Sequence, residues 1–187
     1  SDVCSSDLAA VDPRDPRQVW YSPTPGYLVL AAIDYKRGTW AVRETWHVAG
    51  MANGLFPPWL GDYTQGLAVR YHEGRQYLVF GTAPPNVALH ENGKLQPVVA
   101  GDQGGDALKR AAVLAGQTPA GVAGYLWTDR NRDGTPQAGE FEFFTKPMPR
   151  APKQQATVGP DFALLNARSL GTPEGDAVCL MRLAPRG

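Results

Sequence analysis

Residues 39–48 (TWAVRETWHV) alternate apolar and polar side chains with a period of two. Trp40, Val42, Trp46 and Val48 are expected on one face, and Arg43, Thr45 and His47 on the other. That period predicts a half-buried strand and not a helix. Glu44 interrupts the apolar face, so it must lie near an edge or meet a partner. The run before it, 27–35 (YLVLAAIDY), is apolar and of strand length, and Lys36-Arg37-Gly38 turns one into the other.

The same pattern returns down the chain. Segments 67–71 and 76–80 flank His72-Glu73-Gly74-Arg75, and segments 86–90 and 94–99 flank Glu91-Asn92-Gly93. Glycine supplies the positive φ that tight hairpins need, and Asn-Gly is the strongest short signal for one. Later strands are expected over 124–128, 140–145, 161–167 and 176–183. One helical pattern, 107–115 (ALKRAAVLA), follows Asp106 as a candidate N-cap.

The fold class predicted is all-β, built of antiparallel four-stranded units of about 40 residues, the spacing of β-propeller blades. A β-sandwich of sequential hairpins is the competing architecture. Repeated meanders, short strands and Pro-rich connections favour the propeller. At that spacing residues 9–187 hold about four blades, which makes a partial propeller the expectation.

Composition agrees with a chain that turns often. Its 187 residues include 21 Gly and 17 Pro, about a fifth, where ordinary usage is roughly an eighth. Eighteen basic and eighteen acidic residues cancel, which argues against a nucleic-acid partner. No apolar run reaches the ~18 residues of a membrane-spanning helix.

One stretch carries chemistry. Residues 129–140 read DRNRDGTPQAGE and match D-x-[DN]-x-[DN]-G-x5-E throughout. Ca²⁺ takes six to eight oxygens, and alternate residues of a curled loop aim theirs inward. Asp129, Asn131 and Asp133 would offer side-chain oxygens and Gly134 the sharp turn. Thr135 would offer its carbonyl, Gln137 its side chain or a water, and Glu140 two carboxylate oxygens. The competing reading is an acidic Asx-turn hairpin with no metal. The flanks (GVAGYLWT before, FEFF after) are β-like, and Pro136 lacks the N–H through which paired loops of this kind join. No second loop is present, so a lone calcium loop closing a β-hairpin is expected.

The string YLWTDRNRDGTPQAGEFEFF is similar to calcium-loop hairpins of bacterial extracellular β-propeller repeat proteins, and GLAVRYHEGRQYLVFGTAPP resembles an adjoining blade of them. Arg130 and Arg132 depart from the small or polar residues usual there. The resemblance implies the fold, a structural Ca²⁺ and an exported setting (secreted, periplasmic or cell-surface), and transfers no catalytic residue. Separately, residues 1–8 (SDVCSSDL) resemble the translation of a sequencing adapter. That implies a reading frame truncated upstream and a larger natural protein. Cys4 is then foreign, Cys179 stands alone, and no disulfide is expected.

Other chemistry is sparse. There is no H-E-x-x-H, no C-x-x-C, and neither Ser22 nor Ser169 lies in G-x-S-x-G, so zinc and serine-hydrolase motifs are absent. His72 and His90 sit beside hairpin turns and are expected to face solvent. Cys179 lies in an apolar run and is expected to be core. Residues 51–66 (MANGLFPPWLGDYTQG) form a long connection whose Phe56, Trp59, Asp62 and Tyr63 are a candidate ligand loop, against packing of the aromatics onto the sheets. The function expected is a non-catalytic binding or scaffold module for a protein or carbohydrate. The alternative is a propeller-type lactonase or polysaccharide-active enzyme, with acidic groups such as Asp34, Glu44 and Asp62 converging on the axis.

Overall fold

The computed structural model describes residues 9–57, 66–81, 84–147, 157–158, 163–169 and 176–182. Strands β1 (Ala9–Val11), β2 (Gln18–Tyr21), β3 (Tyr27–Asp34) and β4 (Thr39–His47) form an antiparallel meander. After a short helical turn α1 (Met51–Gly54) comes a second meander of six strands. These are β5 (Gly66–His72), β6 (Arg75–Gly81), β7 (Asn86–Glu91), β8 (Lys94–Asp102), β9 (Gly124–Thr128) and β10 (Phe141–Phe144). Helix α2 (Gly105–Leu114) is inserted between β8 and β9, and β11 (Thr157–Val158), β12 (Ala163–Ser169) and β13 (Asp176–Arg182) pair as a third sheet.

The protein is thus mostly β, as the alternation implies. Two of its hairpins follow directly from their turn residues. Glu73-Gly74 has φ of 49° and 81°, and Asn92-Gly93 has 53° and 70°, the paired left-handed conformations whose twist matches the strands. The unit of four does not hold for the middle of the chain, where β9 and β10 extend the sheet to six. Strands β1 and β2 are short and carry no clear alternation.

The first two sheets pack face to face over one core. Trp20, Leu28 and Leu30 of the first meet Val69, Leu78, Phe80 and Ala88 of the second. Helix α2 closes the far part of that face with Leu108 and Ala111, beside Tyr125 and Trp127. Its N-cap is Gly104 with no side-chain bond, while Asp106 lies in the first turn and pairs with Lys109 at 2.9 Å. The opposite face of the six-stranded sheet holds its own buried cluster of Tyr77, Val79, Val87, Leu89 and Val99. Strand β11 contacts β6, which is flanked on both sides within its sheet, so the third sheet meets the second across a face and not along an edge.

A bulge overturns the single apolar face expected for β4. Leu30 opposes Glu44 and Ala31 opposes Val42, leaving Arg43 as the extra residue. Since side chains alternate, one inserted residue inverts everything beyond it. Trp46 stays inward, stacked on Trp20 at 5.4 Å, while Trp40 and Val42 turn outward and are 64% and 50% exposed.

Candidate metal centre

The loop sits at the edge of the six-stranded sheet, between β9 and β10, whose pairing of Trp127 with Phe141 brings its ends together. The Asp129 backbone N–H donates to Val98 O at 2.9 Å, anchoring the loop to β8. Asp129 is 7% exposed. Its Oδ2 accepts the Gly134 N–H at 2.8 Å and the Gln96 amide at 3.2 Å. Gly134, at φ 71°, turns the chain so that this N–H faces back into the loop. Asp129 Oδ1 is buried and has no partner. A carboxylate oxygen held dry and unpaired is costly, and a cation is the natural group to relieve it.

Further along, Asn131 Oδ1 accepts the Asp133 N–H at 3.2 Å and Asp133 Oδ1 the Thr135 N–H at 2.7 Å. These successive Asx turns curl the chain at alternate residues. Asp133 Oδ2 accepts the amides of Asn131 (3.0 Å) and Gln137 (2.6 Å). Glu140, 6% exposed, closes a short 3₁₀ turn (Ala138–Glu140). Its Oε2 accepts the Trp127 indole N–H at 2.9 Å and the Gln137 N–H at 3.2 Å, and its Oε1 the Arg130 N–H at 2.9 Å.

The candidate ligands therefore fall into three local groups. Asn131 and Gln137 both bond to Asp133, Asp129 is tied to Gly134 and Gln96, and Glu140 faces the two ends of its own loop. Among the described residues no three His, Cys, Asp or Glu side chains form a cluster able to hold a metal. Thr135 takes part through its N–H. Motif reading missed Gln96, whose amide also reaches Arg132 O at 3.0 Å. Nothing in its local sequence marks it, because strand pairing alone brings β8 beside the loop.

Of the candidate ligand loop, Phe56 is fully buried and packs edge-on against Phe80 at 6.4 Å. Trp59, Asp62 and Tyr63 lie outside the described residues, as do residues 1–8. The backbone of Cys179 pairs with Asn166 in the β12–β13 ladder; its side chain is not among those described.

His90 does not face solvent. It is wedged edge-on between Trp20 and Trp46, at 4.9 and 5.4 Å, because the six-stranded sheet turns this hairpin under the first sheet. Its Nδ1 meets Gln76 Oε1 at 2.7 Å, so Nδ1 carries the proton. Gln76 in turn donates to Asp12, which is 1% exposed and also accepts the Tyr71 hydroxyl at 2.8 Å. Burial first, then the bond to Asp12, pushes the Tyr71 hydroxyl up to about 12. Burial also lowers the His90 pKa, partly opposed by Glu44, whose carboxylate is 3.9 Å from Nε2.

Glu44 and Asp34 line one cavity, a half-open cleft of about 800 Å³ under the β3–β4 hairpin. No family profile, curated protein or solved structure matches the chain. No helix of the described residues is long and apolar enough to cross a membrane.

Proposed function

We propose that this chain is a non-catalytic, calcium-stabilised part of a β-propeller from an exported bacterial protein, serving binding or scaffolding. The observation that carries the metal is Asp129 Oδ1, buried and unpartnered at the first position of a twelve-residue loop rich in oxygen donors. Asp129, Asn131, Asp133, the Thr135 carbonyl, Gln137 and Glu140 would hold Ca²⁺, with Asn131 and Gln137 giving up their hydrogen bonds to Asp133 for the ion. Support for the propeller comes from three successive antiparallel meanders layered in chain order, the middle one buried on both faces. A sandwich has two layers.

Three carboxylates and two arginines leave the loop at a net charge of −1, and no second loop preorganises it. Affinity then falls at the weak end, with Kd on the order of 10⁻⁵ to 10⁻³ M, suited to the outside of a cell. Occupancy at millimolar Ca²⁺ stabilises the fold by roughly 1–3 kcal/mol. Scanning calorimetry in chelator and in millimolar Ca²⁺ tests this: Tm rises with calcium, and equal Tm values would remove the metal.

The hydrogen bonds of Glu140 favour a second reading. With three N–H groups on about four lone-pair sites, the carboxylate already closes the loop by itself. On that reading the loop is an Asx-turn hairpin without metal, and calcium leaves Tm unchanged.

A further inference from the structure

We infer that the outer face of the first sheet is the surface through which two copies of this chain pair face to face, a pairing that depends on neither calcium nor the propeller. Trp20, Leu28 and Leu30 put the inner face of that sheet on the core. On the other side Val11 opposes Val19, Val19 opposes Ala31 and Ala31 opposes Val42. Opposed residues share a face, so one apolar row crosses all four strands. The rows flanking it add Tyr21 with Val29, and Ile33 with Trp40. None of these side chains is charged, and none belongs to either buried cluster.

The solvent side of an antiparallel sheet is ordinarily polar, and here Val11, Trp40 and Val42 are each at least half exposed. Trp40 and Val42 are on this side only because the bulge at Arg43 inverts the first part of β4. Without it they would share the inward side of Trp46. Bulges are built features that re-aim side chains, and this one moves a tryptophan and a valine from the inside to the outside. The same molecule shows what such a face ordinarily meets. Its six-stranded sheet is also apolar on both faces, and both are buried.

Charge, shape and area point to the occupant. An uncharged apolar face selects a partner of the same kind, and its own image qualifies, with no like charges to oppose across a two-fold axis. Ala31 is the small residue of the central row and Trp40 the largest ring of the neighbouring one. A two-fold axis lets each copy seat its Trp40 on the other's Ala31. With strands about 4.8 Å apart and alternate residues about 7 Å apart, three rows over four strands offer roughly 400–500 Å² per copy. About 1,000 Å² in the pair is at the lower limit for a specific interface, so the dimer is a weak one.

Sedimentation equilibrium of the full chain from micromolar to near-millimolar concentration, in chelator and in millimolar Ca²⁺, tests the pairing. A monomer–dimer equilibrium is expected with Kd on the order of 10⁻⁵ to 10⁻⁴ M, the same in both buffers. Trp40→Lys and Val42→Lys, both at exposed positions, should each weaken it at least about tenfold with unchanged circular dichroism. Val113→Lys, at an exposed apolar position on α2 away from this face, should leave it unchanged. A monomer at every concentration overturns the assignment and leaves the face to a sheet of another protein. A dimer that survives both lysines on the face, or is lost equally in Val113→Lys, overturns it too. Growth past the dimer does the same and places the contact at open strand edges. The readout is the mass of the particle, so its failure leaves the calcium reading, which stands or falls on Tm, untouched.

Discussion

The Trp127 indole N–H donates to Glu140 Oε2 at 2.9 Å, across the mouth of the loop that joins β9 to β10. Both side chains are buried, and Trp127 is at the same time part of the main core. The bond therefore couples the loop to the packing between the first two sheets. It gives Glu140 a structural role that any metal would share and not replace.

Two substitutions separate those roles. Glu140→Ala strips the acceptor from three N–H groups and should cost about 2–4 kcal/mol by urea unfolding even in chelator. Asp129→Asn keeps an oxygen for Gly134 and removes the charge, so its stability in chelator should fall by less than ~1 kcal/mol. The same variant should lose the calcium-dependent rise in Tm. If both variants shift equally in chelator and in calcium, the loop is a turn alone.

Acid should weaken the contact between the first two sheets. Burial lowers the folded pKa of His90 below its ordinary 6.5, so the unfolded chain binds the proton more readily. The stabilisation from keeping His90 neutral is complete above the unfolded value. It declines as pH falls from about 6.5 toward the lowered folded value. Urea midpoints followed from pH 8 to about pH 5 should fall through that window, and His90→Gln should flatten this part of the slope. An unchanged slope in the variant would assign the decline to other groups.

Trp20 is fully buried, and its indole N–H has no partner. Trp20→Phe removes stacking area on Trp46 and also removes that orphaned donor. The two effects oppose, and the net loss should stay below about 2 kcal/mol. Leu78→Ala, at the centre of the same core, has no such relief and should cost about 2–5 kcal/mol. Denaturant unfolding of the pair checks the order.

Gly101 lies in β8 under Pro84. A Cβ there would sit 2.6 Å from Pro84 Cβ and 3.1 Å from Tyr125 O, neither of which is a flexible tip. Gly101→Ala should destabilise by roughly 1–3 kcal/mol, read as a lower urea midpoint with an unchanged m-value.

Local sequence determined most of the β elements. A dense apolar run placed β3, period-two alternation placed β4, and the turn residues Glu73-Gly74 and Asn92-Gly93 placed β5 to β8 as two hairpins, while the spacing of Asp129, Asn131 and Asp133 placed the curled loop. These are properties of a few consecutive residues, set by side-chain alternation and by which backbones tolerate positive φ. The tertiary structure decided what pairing over distance controls. It joined β9 and β10 to the four strands before them. By the bulge at Arg43 it turned Trp40 and Val42 away from the core that Trp46 enters. It also buried His90 between Trp20 and Trp46, seventy and forty-four residues away, and set Gln96 of β8 against Asp129. Short strands such as β1 and β2 escaped local reading because three or four residues hold too little periodicity. Bulges escaped it because the inserted residue is defined only by the strand opposite.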